Sequence, residues 1–325
     1  MINFCTLFDS NYLHFGLALY SSLVRNCKNF HLYIFAFDKN CENFLKKLAL
    51  KNVTVVSLEA FEDEKLLAIK SSRGKGEYCW TSTASTILYV LQNFNVESCT
   101  YVDSDVFFFS DPKILIEEMG GESVLITSHR YSAEHDQSVI SGKYCVQFMC
   151  FRNNEDGLRA LNWWRERCIE WCYNKSEDGK FGDQKYLDDW TTRFNGVHEL
   201  ENFGGGVAPW NVSQYKFLQK DGKIFGVEKN TAREFELVFY HFHGFKLLNR
   251  SAAQLAPKEY KISPDLIANV YEPYLRDIES AVVLIGDNSD FLNEIKNKDY
   301  SCLQKLKLFF CSMKKNIKQR NGLHN

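Results

Sequence analysis

The stretch from Cys99 to Phe109 reads Cys-Thr-Tyr-Val-Asp-Ser-Asp-Val-Phe-Phe-Phe, and it decides how the rest of the chain is interpreted. It is an apolar strand pattern that is interrupted by two carboxylates, Asp103 and Asp105. Two carboxylates inside an apolar run are costly unless something compensates their charge. Mg²⁺ and Mn²⁺ do so, because hard cations take carboxylate oxygens and keep positions open for phosphate oxygens. The pattern favours a metal site, although two solvated aspartates at a strand end would give the same letters.

Strand and helix patterns alternate before and after this stretch. Short apolar runs that end at Asp9 and at Asp38 predict strands, and a helical pattern follows each of them. This alternation predicts an α/β protein in which helices cover both faces of a mostly parallel central sheet. Sheets of this kind bind ligands beyond the carboxyl ends of their strands. Asp9, Asp38 and Asp103 stand at such ends, so we expect an acidic, polar edge there.

Three segments are predicted along the 325 residues. Residues 1–250 form the catalytic domain, residues 251–300 a C-terminal helical appendage, and residues 301–325 a basic amphipathic tail. With 45% hydrophobic and 25% charged residues, the composition is that of an ordinary globular protein.

The charge is unevenly distributed along the chain. The tail holds six of the 39 Lys and Arg residues and none of the 41 acidic residues, so the remainder has a formal charge of −8. An acidic body disfavours nucleic-acid binding. The apolar residues of the tail recur at helical spacing: Leu303, Leu306, Phe310, Met313 and Ile317. This stripe with basic flanks predicts peripheral attachment to an anionic membrane surface, and a helix packed on the catalytic domain explains it equally well.

Cysteine usage and the apolar runs bear on the compartment. The eleven cysteines form no C-x-x-C pair, the chain opens with a strand-like run instead of a signal peptide, and no apolar run approaches the ~20 residues that span a bilayer. We therefore expect a cytoplasmic protein with reduced thiols, attached to the inner membrane face if the tail binds lipid.

Four landmarks occur in order between about residues 3 and 246. They are Asp9-Ser10-Asn11-Tyr12, Asp103-Ser104-Asp105, Asp183-Gln184 and His241-Phe242-His243-Gly244. In this order they resemble the nucleotide-diphospho-sugar transferases of the GT-A fold, specifically glycosyltransferase family 8 and its bacterial relatives. The resemblance implies a hexosyltransferase that moves a sugar from a UDP-sugar, with retention, to a glycan or glycolipid such as a lipopolysaccharide core.

The same resemblance implies roles for individual residues. Mn²⁺ or Mg²⁺ would be held by Asp103, Asp105 and His241. Gln184, with Asp183, would lie at the anomeric carbon as the catalytic pair. The residues implied to bind the donor are Phe8, Asp9, Asn11, Tyr12, Asp103, Ser104, Gly244 and Lys246.

The chain departs from the family pattern at its basic positions. The lysine of the family comes two residues after the position of Lys246. The family also has an arginine in the helix before the D-x-D strand; that arginine is absent here, and Arg73 or Lys75 would take its place. The predicted strand Leu237–His243 places His243 on the same face as His241, so both imidazoles could reach one metal; otherwise His243 would support the metal ligands or donate to the diphosphate. Trp210, after the glycines at 204–206, is predicted either to stack on a sugar or to belong to the core.

Two other enzyme classes fit part of the pattern. A sugar-1-phosphate nucleotidyltransferase also joins a parallel sheet to metal-binding aspartates. After its first strand, however, we would expect a glycine-rich loop with Arg and Lys, where this chain has Asp9-Ser10-Asn11-Tyr12. A zinc hydrolase would use His241 and His243 with an aspartate. Asp183 alone is also typical of a helix N-cap.

Overall fold

The computed structural model describes residues 1–249 and 252–287 of the protein, so the predicted tail at 301–325 lies outside the described residues. The strands are β1 (Ile2–Phe8), β2 (Phe30–Ala36), β3 (Val53–Ser57), β4 (Ser98–Val102), β5 (Val106–Phe108), β6 (Val124–Ser128), β7 (Tyr144–Arg152), β8 (Val197–Glu199), β9 (Tyr215–Lys220), β10 (Lys223–Glu228), β11 (Glu234–Glu236), β12 (Phe239–His241), β13 (Lys246–Asn249) and β14 (Ala252–Gln254). The helices are α1 (Leu13–Asn26), α2 (Lys39–Leu48), α3 (Leu58–Phe61), α4 (Glu64–Lys70), α5 (Lys75–Asn93), α6 (Lys113–Glu118), α7 (Ser138–Ser141), α8 (Glu155–Glu170), α9 (Trp190–Arg193), α10 (Pro264–Leu266) and α11 (Glu272–Asp287).

A seven-stranded sheet in the order β3-β2-β1-β4-β7-β6-β8 forms the centre of the protein. β1, β2, β3 and β4 are parallel, while β7 runs antiparallel to both of its neighbours. Residues 3–8 of β1 are all buried, because α1 and α2 cover one face of the sheet and α5 and α8 cover the other. The predicted α/β fold with a mostly parallel sheet is confirmed.

The stretch that was predicted as one strand with two aspartates is two strands that belong to different sheets. β4 ends at Val102. A turn then leads into β5, and it is closed by a hydrogen bond of 3.1 Å from the Val106 backbone N–H to the Asp103 backbone carbonyl. β5 pairs antiparallel with β12, and the register places His241 opposite Val106. The two carboxylates thus stand at the carboxyl end of β4, beside a histidine that lies 136 to 138 positions further along the chain.

The C-terminal helices pack on α1 and on the β5–β12 pair. α10, a π-helical turn at Ile267–Tyr271 and α11 follow one another, so the helix widens for one turn just before Pro273. A proline lacks the N–H that the helix needs and its ring crowds the carbonyl four residues back, which the wider turn relieves. Val270, Ile278 and Val282 share an apolar core with Phe107. The boundary predicted at residue 250 falls within the β13–β14 hairpin.

Within residues 1–249 and 252–287, no helix combines the length and the apolar composition that crossing a membrane requires.

Candidate active site

A cavity of about 910 Å³ opens at the carboxyl ends of β1 and β4. Among the residues that the resemblance assigned to the metal, to catalysis or to donor binding, all but one line it: Phe8, Asp9, Asn11, Tyr12, Asp103, Ser104, Asp105, Asp183, Gln184, His241 and Gly244. The exception is Lys246, which begins β13 with an exposed side chain and is not part of the lining.

Asp103, Asp105 and His241 form a cluster in this cavity. His241 Nε2 lies 3.1 Å from Asp105 Oδ1 and 3.8 Å from Asp103 Oδ2, and one ligand atom from each residue lies within 4.8 Å of the others. His241 is 5% exposed, so its ring is held by its surroundings. Two carboxylates and one imidazole are a donor set that suits Mn²⁺, and also Mg²⁺, with positions left open for a ligand.

Gln147 on β7 fixes the orientation of His241. Its Oε1 lies 2.8 Å from His241 Nδ1, and the glutamine is fully buried. Since an amide oxygen only accepts, Nδ1 carries a proton, and Nε2 is the ring nitrogen that faces the carboxylates. The sequence-based prediction missed Gln147, although an amide in the apolar run of β7 was a visible signal.

The electrostatics of the cluster favour one positive charge among the three groups. Burial, and then the charge of Asp105, raise the pKa of Asp103 to about 6. Burial opposes ionisation of Asp105 too, but the charge and hydrogen bond of His241 outweigh it and lower the Asp105 pKa. Burial likewise opposes the imidazolium, yet Asp105 and then Asp103 raise the His241 pKa well above its usual value. Without a metal, a proton on His241 supplies that charge.

The segment after β1 forms a rigid turn at one side of the cavity. Asp9 accepts hydrogen bonds from Asn11 N and from Asn11 Nδ2, both at 2.9 Å. Asp38, expected at the same acidic edge, instead accepts from Ser10 N and Cys41 N, each at 2.7 Å, so it ties the turn to the start of α2. It does not line the cavity.

Glycine at position 16 allows α1 to pack directly on Phe8. A Cβ there would lie 2.2 Å from Cζ of the Phe8 ring, which no side chain tolerates. The ring is thereby held at the end of β1, 3% exposed, where it lines the cavity.

The basic groups near the cavity are few. Lys75, the first residue of α5, is the one Lys or Arg that lines it within the described part of the chain. Arg73 is engaged elsewhere: its guanidinium donates to the Tyr173 hydroxyl and to the Ile169 carbonyl, the latter at 3.0 Å. Of the two residues expected to replace the family arginine, Lys75 is therefore the one that reaches the cavity.

His243 is separated from the metal cluster, contrary to the expectation that it shares a strand face with His241. β12 ends at His241, and His243 lies exposed in the following turn, where Gly244 has a φ of 71°. The two rings are 5.8 Å apart between centroids. His243 lines the cavity but is not in the cluster.

Asp183 and Gln184 lie on the cavity wall. Asp183 is 5% exposed, and burial followed by the charge of Asp103 raises its pKa to about 8. It does not cap the next helical turn, since Gln184 occupies the N-cap position. Gln184 Nε2 donates to the Ser141 carbonyl at 2.6 Å, which leaves its amide oxygen for the cavity.

Comparison with known proteins defines first the fold and then the family. No protein-family model matches the chain. The fold is the GT-A fold of nucleotide-diphospho-sugar transferases: a solved structure of the galactosyltransferase LgtC, in complex with donor and acceptor sugar analogues, aligns with a TM-score of 0.51 at 10% identity, over 86% of this chain and 96% of that one. This likeness shows the architecture alone.

Two proteins of Bacillus subtilis (strain 168) are similar in sequence. The uncharacterized protein YfnD is 32% identical over 285 residues, which cover 85% of this chain and 88% of YfnD. The uncharacterized protein YfnF is 34% identical over 254 residues, which cover 76% of this chain and 82% of YfnF. The chain belongs to the family of these two proteins.

Proposed function

We propose that this protein is a metal-dependent glycosyltransferase of the family 8 type, which moves a sugar with retention from a UDP-sugar to a glycan or glycolipid. The observation that carries the proposal is the convergence of Asp103, Asp105 and His241 in a cavity at the carboxyl ends of β1 and β4. In a sheet of this kind, that is where a ligand is expected.

The turn after β1 suits the nucleoside end of the donor. Phe8 and Tyr12 offer ring faces, while Asp9 and Asn11 hold each other in place with hydrogen-bonding atoms at the cavity. A ring face with a small number of fixed polar groups is typical of a site that recognises a base and a ribose.

The residues beside the metal cluster offer backbone groups and one positive charge that are suited to binding the diphosphate of the donor. Ser104 and Gly244 line the cavity next to the cluster residues. Lys75, the candidate replacement for the family arginine, lines it as well and would supply a positive charge to the diphosphate. A lysine serves a phosphate as a compact point charge.

The three cluster residues fit a divalent cation, because their donor atoms converge and His241 Nε2 faces both carboxylates. Mn²⁺ or Mg²⁺ held there would act as a Lewis acid for the charge that develops on the departing diphosphate. Asp103 is oriented by the Tyr101 hydroxyl, which donates to its Oδ1 at 2.8 Å. His241 is oriented by Gln147.

Gln184 and Asp183 act at the sugar. The Gln184 amide oxygen stabilises positive charge that develops at the anomeric carbon. A glutamine is a poor nucleophile and a poor base, so the acceptor proton goes to the leaving diphosphate oxygen on the same face, which gives retention. Asp183, whose pKa is about 8, is largely protonated at neutral pH and adds little negative charge.

The acceptor is proposed to lie at the inner face of a bacterial membrane, as a lipopolysaccharide core does, with the enzyme in the cytoplasm. The predicted tail at 301–325 supports this proposal through its apolar stripe and its basic residues.

A panel of nucleotide sugars tested for Mn²⁺-dependent thermal stabilisation examines the function directly. Donor at 100 times its Kd would add about 2.7 kcal/mol to the free energy of unfolding. We expect a UDP-sugar to stabilise the wild type only with Mn²⁺ and to fail with Asp105→Asn.

Asp156→Asn is the matched control, because it removes a carboxylate from α8 that lies outside the cavity and pairs with Arg159 at 3.0 Å. Failure of every nucleotide sugar to stabilise the wild type would refute the function. Hydrolysis that requires Zn²⁺ and no nucleotide would favour a zinc hydrolase instead.

A further inference from the structure

Four aromatic side chains from three segments meet on one part of the cavity lining, and we call them the aromatic wall: His129, Tyr131, Trp210 and Tyr260. The His129 and Tyr131 rings stack with centroids 4.5 Å apart and planes 11° apart. Trp210 stands edge-on to His129 at 5.1 Å. Tyr131 and Tyr260 both pack against the small apolar cluster to which Trp210 belongs. Tyr131 and Tyr260 are only partly buried, so they are not ordinary core aromatics.

The wall adjoins the metal cluster but not the nucleoside turn. The Trp210 ring lies 5.3 Å from that of His241 and 5.5 Å from that of His243. Among the described residues, no aromatic contact joins the wall to Phe8 or Tyr12. The cluster therefore separates two aromatic regions of one cavity.

The backbone beneath the wall is fixed by hydrogen bonds between distant segments. The His129 carbonyl accepts from Trp210 Nε1 and from Asn211 Nδ2, both at 2.9 Å. The Arg130 carbonyl accepts from Gln214 Nε2 at 2.8 Å. Arg130 itself has a φ of 45°, a left-handed conformation that a non-glycine residue keeps only where its surroundings impose it. The loop is thus built to hold His129 and Tyr131 in their stacked position.

Three uncharged polar side chains share the cavity lining with the wall. Gln137, Ser141 and Gln184 line the cavity with amide and hydroxyl groups. Burial lowers the pKa of His129 to about 3, so this imidazole is neutral. Aromatic faces with nearby uncharged hydrogen-bonding groups suit the C–H face and the hydroxyls of a pyranose, whereas a phosphate would need a cation.

We infer that the aromatic wall binds the acceptor, and that the acceptor presents a neutral hexopyranose ring to it. This inference rests on the proposed function, in which the donor occupies the other side of the metal cluster. A hydroxyl of the stacked ring then lies toward Gln184 and the metal cluster. Trp210, left open by the sequence between sugar stacking and the core, belongs to the acceptor side.

The test uses the full chain with Mn²⁺, the donor selected by thermal stabilisation, and methyl glycosides of glucose, galactose and N-acetylglucosamine as probes. We expect saturation-transfer NMR to show at least one glycoside bound to the wild type with UDP and Mn²⁺. For that glycoside, Tyr131→Ala should raise the acceptor KM by about tenfold, since it removes one ring face. The donor KM and the slow hydrolysis of donor by water should stay within about twofold, a margin of about 0.4 kcal/mol.

Two control variants separate stacking from folding. Tyr131→Phe keeps the ring face and should keep the acceptor KM near that of the wild type. Tyr20→Ala removes a partly buried tyrosine on α1, outside the cavity, and should leave both KM values unchanged. A Tyr260→Ala variant should reproduce the effect of Tyr131→Ala on the acceptor alone.

Three results would overturn the inference: no methyl glycoside binds, Tyr131→Ala leaves the acceptor KM unchanged, or Tyr131→Ala raises the donor KM instead. In each of them, donor hydrolysis that still needs Mn²⁺ would show that only the wall assignment is wrong. Loss of Mn²⁺-dependent donor binding in the wild type would show that the proposed function is wrong.

Discussion

Replacing Gln147 by leucine should weaken Mn²⁺ binding although Gln147 is not a ligand. The side chain is fully buried and its Oε1 lies 2.8 Å from His241 Nδ1. With this acceptor in place, Nδ1 keeps its proton, and the proton that His241 loses when a metal binds comes from Nε2. Without the acceptor, the neutral ring can keep its proton on Nε2, which lies 3.1 Å from Asp105 Oδ1 and donates there. Metal binding must then break that hydrogen bond and move the proton back to Nδ1.

The cost follows from the contact that is lost. One buried hydrogen bond contributes about 1 kcal/mol net, and about 1.4 kcal/mol corresponds to a tenfold change in Kd. Outer-shell partners of metal-binding histidines are typically worth roughly 10- to 100-fold in affinity. We therefore expect the Mn²⁺ Kd of Gln147→Leu, measured by calorimetry, to rise by about tenfold.

Thr127→Val is the matched control for this variant. Thr127 on β6 is also fully buried, and its Oγ1 donates to the Phe148 carbonyl at 2.7 Å, with no contact to the cluster. It should lower the melting temperature in EDTA as much as Gln147→Leu does, but leave the Mn²⁺ Kd unchanged. Equal Kd values for Gln147→Leu and the wild type would refute the reasoning.

Four further outcomes are expected. Gln184→Ala should lower kcat on the order of 100-fold with an unchanged donor KM, because it removes transition-state stabilisation; a raised KM at constant kcat would contradict this. His241→Ala should weaken Mn²⁺-dependent UDP binding in calorimetry much more than His243→Ala does, since only His241 belongs to the cluster; the reverse ranking would mean that the cluster has been assigned wrongly. The pKa of Asp183 is raised to about 8 in the folded protein, against 3.8 in the unfolded chain, so between these pH values the folded state keeps a proton that the unfolded state has lost. In EDTA, the free energy of unfolding should therefore fall as pH rises from 4 to 8, by up to about 1.4 kcal/mol per pH unit. Asp183→Asn should flatten that slope in urea unfolding, and an unchanged slope would exclude Asp183 as its source. Deleting residues 301–325 should release the protein from anionic vesicles in a flotation assay, whereas a fall of many degrees in melting temperature would indicate a packed helix.

The sequence indicated Asp103, Asp105 and His241 as candidate metal ligands because each of them belongs to a short local pattern. Two aspartates in an apolar run are unusual wherever they occur, and Asp103 directly follows the end of β4, as expected of a residue at a strand end. The histidine was found through its spacing to Gly244. The parallel sheet was predicted from the alternation of strand and helix patterns, which reflects how each element buries its apolar face.

What escaped prediction depends on contacts between distant segments. Pairing of β5 with β12, which brings His241 beside Asp105, has no local signature. The same holds for Gln147, whose partner lies 94 positions away. His243 was misplaced because the predicted strand continued two residues past His241, where β12 ends.

The charge balance of the cavity gives an independent reason to expect dependence on a metal. Asp9, Asp103, Asp105 and Asp183 line the cavity, and within the described residues Lys75 is the one Lys or Arg that faces them. Protonation of Asp183 removes one negative charge near neutral pH, but a nucleotide diphosphate brings at least two more. A single exposed lysine, weakened by solvent, does not offset these charges. In the proposed function, a divalent cation between the carboxylates would do so, because it changes the sign of the local charge where the diphosphate would lie. The few basic side chains and the converging acidic ones both agree with a cation that supplies the positive charge which arginines supply in other phosphate sites.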